Sequence, residues 1–527
     1  MKKNRLFSAF LAAVLAVCGT AIPASAADKQ MEKPYEFGDV NGDGTITVSD
    51  AVLIARISAE DSSLHLNDFA RIAADANQDG QCDQKDLTDI LRYIAGLQTT
   101  ISGKYEDEDH LYTAKNLTEG MTDTLELEAE QAEGFRSAQL DFTANLLKQV
   151  AKEKGTANNM LISPYSVAMA LGMTANGAKE DTLAEMEKVL GGKLNMKALN
   201  ESYLNILQHS PASGTTESRS DGYNDYKDAS LDIANSIWYH QDPTRIKVPE
   251  QFLKNTVDYY HASAYAAKDF DLPVIQDINY WVRSNTHGMI DKILQEDKPY
   301  DDVVMVLVNA LAFEGDWSIP YRDDQVHKSV FNLENGKEFD TDMMYCDEYI
   351  YLEDKEAVGF KKRYAGGKYS FIGVLPNKDI SIADYTANLD GKKLEKFLDS
   401  ATSMYDVHTC MPKFTYDFDA NLNNPLIEMG MPTAFDSSKA DFTGLDASGT
   451  TEKTYISDVL HKTHIELDQK GTRAAAVTAV IMAKATSVGP DTTKTVYLDR
   501  PFVYMIYDEE AKLPVFIGTV MEPSAAE

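Results

Sequence analysis

The sequence predicts an α+β fold preceded by a small all-α module, and three observations support this. A nearly continuous apolar run over residues 303–313, bounded by acidic residues and glycine, is typical of a buried strand. Further upstream, an acidic loop that runs into an apolar helix occurs twice, thirty-six residues apart, starting at Asp39 and at Asp75. Between these features, apolar residues recur at helical spacing: Leu140, Phe142, Leu146, Leu147 and Val150.

The first 26 residues have the pattern of a secretory signal peptide. Lys2, Lys3 and Arg5 give a basic start, an apolar run covers residues 6–17, and Ala24–Ala26 supplies a small-x-small cleavage site. The apolar run is too short to span a bilayer, and no later run reaches about 18 apolar residues. We therefore expect a secreted, extracellular protein without a membrane span.

Length and charge limit the function classes. A chain of 527 residues has room for more than one domain. Its net charge of −33, from 50 basic and 83 acidic residues, excludes a nucleic-acid partner, which needs stripes of Lys and Arg. After signal cleavage three cysteines remain, Cys82, Cys346 and Cys410, so at least one thiol is free.

Part of the acidic charge lies in the two repeated loops, which fit calcium chemistry. Calcium takes six to eight oxygen ligands, and a 12-residue loop supplies them from positions 1, 3, 5, 7, 9 and 12 with glycine at position 6. One such loop alone would more readily be an ordinary Asp/Asn/Gly turn, but two in-register copies favour two calcium ions. The expected ligands are Asp39, Asn41, Asp43, Thr45, Thr47 and Asp50, then Asp75, Asn77, Asp79, Gln81, Asp83 and Asp86.

The duplicated loop-helix unit resembles a type I dockerin over about residues 36–99 and ends at Ala95-Gly96-Leu97. The resemblance implies binding to a cohesin module of a cellulosomal scaffoldin. Cys82 departs from the Ile or Val usual at its position. The resemblance also implies that the module can dock in two orientations, one through each repeat. Because the two repeats differ at the positions that contact the partner, the two orientations are not expected to be equivalent. The residues that the resemblance assigns to partner binding are Val48, Ser49, Arg56, Gln84, Lys85 and Arg92.

Residues 100–133 are predicted to be an acidic linker. The segment includes Glu106–Asp109 and lacks an amphipathic period until Phe135, which is typical of an extended, self-repelling chain. Downstream, Ser163-Pro164 has the pattern of a capped helix start. The Ser-, Gly- and Asp-rich stretch over residues 210–228 is predicted to be a surface insertion.

Catalytic signatures are missing from the chain. It contains no G-x-S-x-G elbow, H-E-x-x-H helix, Walker loop or G-x-G-x-x-G turn. His461 and His464 could be mistaken for a metal-ligand pair, but residues three apart on a strand face opposite sides. We therefore expect a protein that is not an enzyme.

The segment from Gly471 to Met482 stands out because its residues alternate. As a strand, it would bury one set of side chains without inserting a charge and would direct its only charge, Arg473, to the other face. The alanines favour a helix, whereas Val477, Thr478, Val480 and Ile481 favour a strand. The set suited to burial is Thr472, Ala474, Ala476, Thr478, Val480 and Met482.

At this point the chain resembles a serpin over nearly all of residues 134–525. The resemblance implies a fold with a central mixed sheet, surrounding helices and an exposed reactive-centre loop. It also implies a monomeric domain that traps a target protease when the loop is cleaved and inserts as a new strand. The stretches that carry the resemblance are Asn159–Val167 with Leu171, Gly177-Ala178 and Thr182, then Leu231–Trp238, Asn309–Trp317, Asp441–Gly444 and Arg500–Phe502.

The resemblance also assigns site residues. Counting from the hinge glycine places the reactive bond at Ala485-Thr486, which suits elastase-like or subtilisin-like proteases. A shift of one residue gives Lys484-Ala485, which suits trypsin-like or papain-like enzymes. Gln469 and Arg473 depart from the Glu common at their positions. The implied hinge is Gly471, Thr472, Ala474, Ala475 and Ala476, and the implied shutter, which gates sheet opening, is Ser163, Ser166, Asn309 and His461.

Three functions follow as hypotheses. The first is an inhibitor attached to a cellulosome, and the second is a non-inhibitory binding module with the same fold. Small hinge residues argue against the second hypothesis, because bulky or charged residues there are typical of non-inhibitory members. The third is a hydrolase, as in most dockerin-bearing chains, and the absence of a catalytic constellation disfavours it.

Overall fold

The computed structural model divides the chain into two compact units, residues 1–110 and residues 111–527. In the first unit it describes residues 38, 40–41, 46–58, 70, 73–74, 76, 82, 86–87, 90–91 and 94. In the second it describes residues 112–118, 129–212, 218–220, 225–298, 300, 303–449, 453–472 and 493–524.

The first unit contains helix α1 (Val48–Ser58), which follows the first acidic loop as the sequence predicted. Asp50 lies in its first turn, where a carboxylate is favoured by the helix dipole. A small apolar cluster joins this helix to the second repeat and includes Ile54, Ala74, Ile90 and Leu91. The two repeats therefore share one core.

The second unit mixes helices and strands, which confirms the predicted α+β class. Its described helices are α2 (Phe135–Lys154), α3 (Pro164–Ala175), α4 (Glu180–Gly191), α5 (Met196–His209), α6 (Glu250–Tyr260), α7 (Leu272–Asn285), α8 (Ile382–Asn388), α9 (Gly391–Asp399) and α10 (Asn423–Met429). Helix α3 begins as predicted, because the Ser163 hydroxyl caps it by accepting from the Ser166 N–H, and Pro164 occupies the first turn.

Nineteen strands are described in this unit and form four sheets. They are β1 (Lys115–Asn116), β2 (Met160–Ile162), β3 (Ser218–Ser220), β4 (Asp225–Lys227), β5 (Ser230–His240), β6 (Ser263–Ala267), β7 (Met305–Asp316), β8 (Val326–Asn332), β9 (Glu338–Glu348), β10 (Ile350–Glu353), β11 (Ala357–Arg363), β12 (Tyr369–Pro376), β13 (Asp406–Pro412), β14 (Phe414–Asn421), β15 (Leu460–Leu467), β16 (Gly471–Thr472), β17 (Thr493–Tyr497), β18 (Phe502–Asp508) and β19 (Leu513–Val520).

The largest sheet, called sheet A below, has the strand order β1-β6-β5-β7-β16-β15-β14 and is mixed, because β5 and β6 run parallel. A six-stranded sheet B has the order β10-β11-β12-β18-β19-β2, and a four-stranded sheet C has the order β17-β13-β9-β8. Strands β3 and β4 form a separate hairpin within the predicted surface insertion.

Successive side chains along a strand point to opposite faces of the sheet. In sheet A each face packs against its own core, so the sheet is buried on both faces. Ile237 of β5 and Leu311 of β7 join the main core, where sheet B also packs. Trp238 and Val308 point the other way, into a second core that helix α7 covers with Ile278. Nearly continuous apolar strands such as β7 follow from this double burial.

The structure attaches described parts of the predicted linker, residues 100–133, to the rest of the second unit. Lys115 and Asn116 form β1 and pair with β6 at the edge of sheet A. The Thr113 N–H donates to Asp277 Oδ2 at 2.7 Å. Further on, the Ala132 N–H donates to Ser202 Oγ at 3.0 Å. These attachments are mostly hydrogen bonds of the backbone. Because they do not depend on a regular spacing of apolar side chains, the sequence shows no amphipathic period here.

Within the described part of the chain, no helix is both long and apolar enough to cross a membrane. The described cysteines, Cys82, Cys346 and Cys410, are all free thiols, which agrees with the odd count in the sequence.

Candidate functional site

Among the described residues, one strand position of sheet A is filled at one end only. Strand β16 lies between β7 and β15 and is antiparallel to both: Gly471 pairs with Asp316, and Thr472 pairs with Gly315 and Leu467. Beyond Thr472, the described residues provide no strand between β7 and β15. A longer strand could therefore extend β16 along this position.

The filled end is tightly packed. A Cβ on Gly471 would come within 2.0 Å of the Gly315 carbonyl oxygen, so only glycine allows β16 to lie this close to β7. The buried Thr472 hydroxyl shares a 2.6 Å hydrogen bond with the Tyr364 hydroxyl. The Tyr364 ring stacks on Trp317, whose Nε1 donates to the Asp468 carbonyl at 3.0 Å. Glycine is thus required at position 471, while Thr472 and Trp317 make the contacts around it.

A small cavity lies at this position between β7 and β15, and most of its lining residues face the main core. Its walls are largely apolar and come from β7, β15 and the start of β16, with β2 behind them. Because Thr472 borders the cavity, side chains on the same face of an extended β16 would enter this space. The walls include Leu161, Leu311, Phe313, Thr463, Ile465 and Thr472.

Three of the four predicted shutter residues meet beneath β15. The Ser163 N–H donates to His461 Nε2 at 3.1 Å, and the Ser163 hydroxyl donates to the Val515 carbonyl at 3.0 Å. The Ser163 hydroxyl also accepts from the Ser166 N–H. Burial lowers the pKa of His461 from 6.5 to about 4, so the ring is neutral and its Nε2 accepts.

Asn309, the fourth predicted shutter residue, donates its hydrogen bond to a residue of β5. Its Nδ2 donates to Asn235 Oδ1 at 2.8 Å, and Asn235 donates in turn to the Tyr260 carbonyl. Oδ1 of Asn309 has no hydrogen-bond partner among the described residues. Sequence reasoning missed Asn235, although it lies directly opposite Asn309 in the β5–β7 register.

A buried ion pair near the filled end was also missed. Lys362 Nζ lies 2.8 Å from Glu348 Oε1 and donates to the Ile319 carbonyl. The same ammonium lies over the Tyr321 ring at 4.4 Å and the Trp317 ring at 5.5 Å. Burial alone would lower the pKa of Lys362, but the Glu348 carboxylate raises it above its ordinary value. The charge therefore persists and holds Trp317 in place.

Comparison with known proteins decides the family. A family model described as serpin (serine protease inhibitor) matches residues 137–523. The chain belongs to the serpin family. Serpins are generally protease inhibitors and not catalytic enzymes. A second model, described as dockerin type I domain, matches residues 37–95, so this serpin carries an N-terminal dockerin module.

Curated relatives cover most of the serpin part. An uncharacterized serpin-like protein of Methanosarcina acetivorans is 30% identical over 386 residues, which is 72% of this chain and 84% of the relative. Leukocyte elastase inhibitor A of Mus musculus is 28% identical and matches 74% of this chain and 100% of its own length.

Solved structures confirm the serpin fold. The thermophilic serpin tengpin in its native state is 37% identical, with a TM-score of 0.69, and covers 78% of this chain and 99% of its own. Tengpin in its latent state has a TM-score of 0.63 at 37% identity, with 76% and 100% covered. A loop C-sheet serpin polymer has a TM-score of 0.62 at 35% identity, with 77% and 100% covered.

Part of the predicted site lies outside the described residues. This holds for hinge residues Ala474, Ala475 and Ala476 and for the reactive-bond residues Lys484, Ala485 and Thr486. In the dockerin module it holds for Gln84, Lys85 and Arg92 and for the ligands Asp39, Asp43, Thr45, Asp75, Asn77, Asp79, Gln81 and Asp83.

The described residues of the calcium loops fit a cation site. Asp50, at position 12 of the first loop, is fully buried, and so is Asp86 at position 12 of the second. The Asp50 carboxylate turns back on its loop and accepts from the Asn41 N–H at 3.0 Å and the Thr47 N–H at 2.9 Å. Type I dockerins generally bind calcium. Most of the predicted ligands lie outside the described residues. The described residues alone contain no group of three Asp, Glu, His or Cys side chains that could hold a metal ion.

Proposed function

We propose that this serpin is a secreted suicide-substrate inhibitor of serine proteases that is attached to a scaffoldin through dockerin–cohesin binding. The observation that carries the proposal is the strand position of sheet A between β7 and β15, which among the described residues holds only Gly471 and Thr472, the first two hinge residues. The basic start, apolar run and Ala24–Ala26 support secretion.

Extending the β16 register supports a fit between the hinge sequence and this strand position. Thr472 pairs with Gly315 and Leu467, and each further step along the loop moves one residue back along both β7 and β15. Alternate residues from Ala474 onward then face the cavity side, where small side chains suit the limited space. The expected neighbours are Phe313 and Ile465 for Ala474, Leu311 and Thr463 for Ala476, and Asn309 and His461 for Thr478.

Thr478 is expected beside a buried polar atom of Asn309. The Oδ1 of Asn309 has no hydrogen-bond partner among the described residues, and the Thr478 hydroxyl can donate to it. An unpartnered buried polar atom costs about 1–3 kcal/mol. Insertion would remove this cost, in addition to forming a dozen or so backbone hydrogen bonds worth about 0.5–1.5 kcal/mol each.

In the proposed mechanism, the protease serine attacks the Ala485 carbonyl carbon and the amide bond to Thr486 breaks. Thr486 leaves as a free amine, and an ester joins the protease serine to Ala485. Insertion of the freed loop then carries the protease along sheet A. The energy released is comparable to the stability of a whole domain, which is enough to distort the protease and stall hydrolysis of the ester.

The test is incubation of the full chain with subtilisin-like, elastase-like, trypsin-like and papain-like proteases, followed by denaturing gels and mass spectrometry. We expect a covalent complex and a released peptide that begins at Thr486, or at Ala485 if Lys484 precedes the bond. A complex with the papain-like enzyme would extend the target class to cysteine proteases. If cleavage across the panel yields no complex and no gain in melting temperature, the fold is a non-inhibitory binding module.

Arg473 gives a sharper test of the register, because the family commonly has Glu there. If the strand continues in this register, Arg473 is expected between Glu314 and Glu466, which alternate with main-core residues and so lie on the opposite face of sheet A. We expect Arg473→Glu to raise the barrier to insertion by about 1 kcal/mol and so to raise the ratio of hydrolysed to trapped inhibitor about fivefold. Titration of a responsive protease measures this ratio.

The matched control for Arg473→Glu is the double variant Arg473→Glu/Glu466→Lys, which restores an opposite charge. We expect it to recover most of the lost inhibition, as residues in contact are coupled. An unchanged ratio for Arg473→Glu, or no recovery in the double variant, would contradict the register.

The dockerin module is proposed to hold two calcium ions, one in each loop. We expect calorimetric titration of the calcium-free full chain to give two ions for the wild type and one each for Asp50→Ala and Asp86→Ala. Each variant removes a position-12 ligand that closes its loop. Asp379→Ala, which changes an acid outside both loops, is the control. Two ions in both loop variants would refute this assignment.

A further inference from the structure

Three exposed apolar side chains, called the apolar patch below, lie at the ends of strands of sheets A, B and C. Ile319 follows β7 and is 61% exposed, and Tyr349 joins β9 to β10 and is 45% exposed. Met404 precedes β13 and is 73% exposed. Single apolar side chains are normal on a protein surface, whereas adjacent ones mark a surface that binds a partner. The question is therefore whether the three are neighbours.

Ile319 and Tyr349 share one buried support. Lys362 Nζ donates to the Ile319 carbonyl at 2.9 Å and lies 2.8 Å from Oε1 of Glu348, the residue before Tyr349. Lys362 is only 2% exposed, so it fixes both segments of backbone at the same point. The two exposed side chains therefore lie close together on backbone that is already ordered, which lowers the entropic cost of binding a partner.

Met404 lies on a bulge beside Tyr349. Residues 402–407 run antiparallel to residues 348–351, and the two segments pair at both ends. The first segment is two residues longer than the second, so it must bulge. The high exposure of Met404, near its middle, shows that this residue lies on the outside of the bulge. The apolar patch is thus continuous from Ile319 to Met404.

Ile319 lies beside the point where the reactive loop begins. The N–H groups of Trp317 and Tyr321, two residues to either side of Ile319, donate to the carbonyls of Lys470 and Gln469 at 2.7 and 2.8 Å. These two carbonyls immediately precede the hinge. One end of the apolar patch is therefore joined by backbone hydrogen bonds to the root of the loop.

Met404 lies beside the point where the loop ends. Thr493 begins β17 and pairs with Asp406, two residues after Met404. The proposed reactive bond, Ala485-Thr486, is seven residues before Thr493 and so at most about 25 Å from it. A protease of roughly 250 residues has a radius of gyration of about 18 Å, so its body extends well beyond the bond that it holds. A protease at this bond therefore comes within reach of the surface around Met404.

We propose that the apolar patch is an exosite that binds the body of the target protease while the loop occupies the protease's active site. The matching partner chemistry is an apolar or aromatic side chain at the rim of the protease's substrate cleft. The proposal rests on the proposed function, because it takes the loop as the bait. Asp347 and His408 pair at 2.6 Å next to the patch, which gives the apolar centre and polar rim of a binding surface. Such a contact selects among proteases that cleave the same loop sequence.

The experiment measures binding of the uncleaved full chain to a subtilisin and to an elastase, each with its active-site serine replaced by alanine. Docking is then observed without cleavage or trapping. Ile319→Asp and Met404→Asp each place a charge in the patch at an exposed position. Tyr455→Asp is the matched control, because Tyr455 is 45% exposed and precedes Leu460, at the end of β15 that is remote from β16. Amide hydrogen exchange over residues 473–492 is followed in the same proteins.

We expect Ile319→Asp and Met404→Asp each to raise the Kd for at least one of the two proteases about tenfold. Tyr455→Asp should bind like the wild type, and exchange over residues 473–492 should not change in any variant. Patch variants that bind as tightly as Tyr455→Asp, or a wild type that binds neither protease, would overturn the exosite. Weaker binding accompanied by faster exchange over residues 473–492 would also overturn it, because the patch would then hold the chain's own loop.

Failure of the proposed function gives a different result. It appears as the absence of a covalent complex with any unmodified protease, and it leaves the binding comparison with the inactive proteases intact.

Discussion

Replacing Ala474 with arginine is expected to convert the serpin from an inhibitor into a substrate. In the proposed extension of the β16 register, this side chain would lie on the cavity side, between Phe313 and Ile465. Insertion would then have to bury an unpaired guanidinium, at a cost of several kcal/mol. Because residue 474 is among the first to insert, deacylation should outrun insertion and reduce the yield of covalent complex at least about a hundredfold. Denaturing gels of the protease reaction measure this yield.

Two comparisons separate this effect from a loss of protease binding or of folding. The loop of the Ala474→Arg variant should still be cut at the same bond, but the cut chain should show no gain in melting temperature. Ala474→Ser keeps a small side chain and should retain inhibition. If Ala474→Arg forms the covalent complex as efficiently as the serine variant, residue 474 does not enter the sheet and the extended register is incorrect.

Local patterns in the sequence were sufficient for the elements that a single periodic signal defines. Ser163-Pro164 predicted the start of α3, and the apolar run before Phe313 predicted a buried strand, found as β7. His461 and His464 were expected on opposite faces, and the structure buries His461 while His464 pairs with Asp417 at a partly exposed position. Each of these expectations depends only on residues close together in the chain.

Features that depend on distant partners could not be predicted in the same way. Tyr112 packs against Trp238, Tyr265 and Tyr280, but its own neighbours in sequence are acidic and indicate a linker. The Lys494 ammonium lies over the rings of Tyr351 and Tyr405, which are about 140 and 90 positions away in the chain. Asn309 was assigned to the shutter from family resemblance alone, and only the β5–β7 register shows that it bonds to Asn235.

Acid is expected to destabilise this serpin through His461. The native ring is buried and neutral, and burial lowers its pKa from 6.5 to about 4. Between these two values the unfolded chain binds a proton that the native chain does not, so the free energy of unfolding falls as the pH falls through this window. A difference of about 2.5 pKa units corresponds to roughly 3 kcal/mol. Urea unfolding at pH 7 and at pH 4 measures the loss.

His461→Gln isolates this contribution from the titration of the many carboxylates. The glutamine side-chain oxygen can accept from the Ser163 N–H, as His461 Nε2 does, but it does not titrate. We expect the variant to lose roughly 3 kcal/mol less than the wild type between pH 7 and pH 4. Equal losses would show that His461 is not kept neutral by burial. Since His461 lies on β15, beside the unfilled strand position, protonation should also weaken the contact that holds β15 over Ser163, so acid should open sheet A at the point where Thr478 is expected to enter.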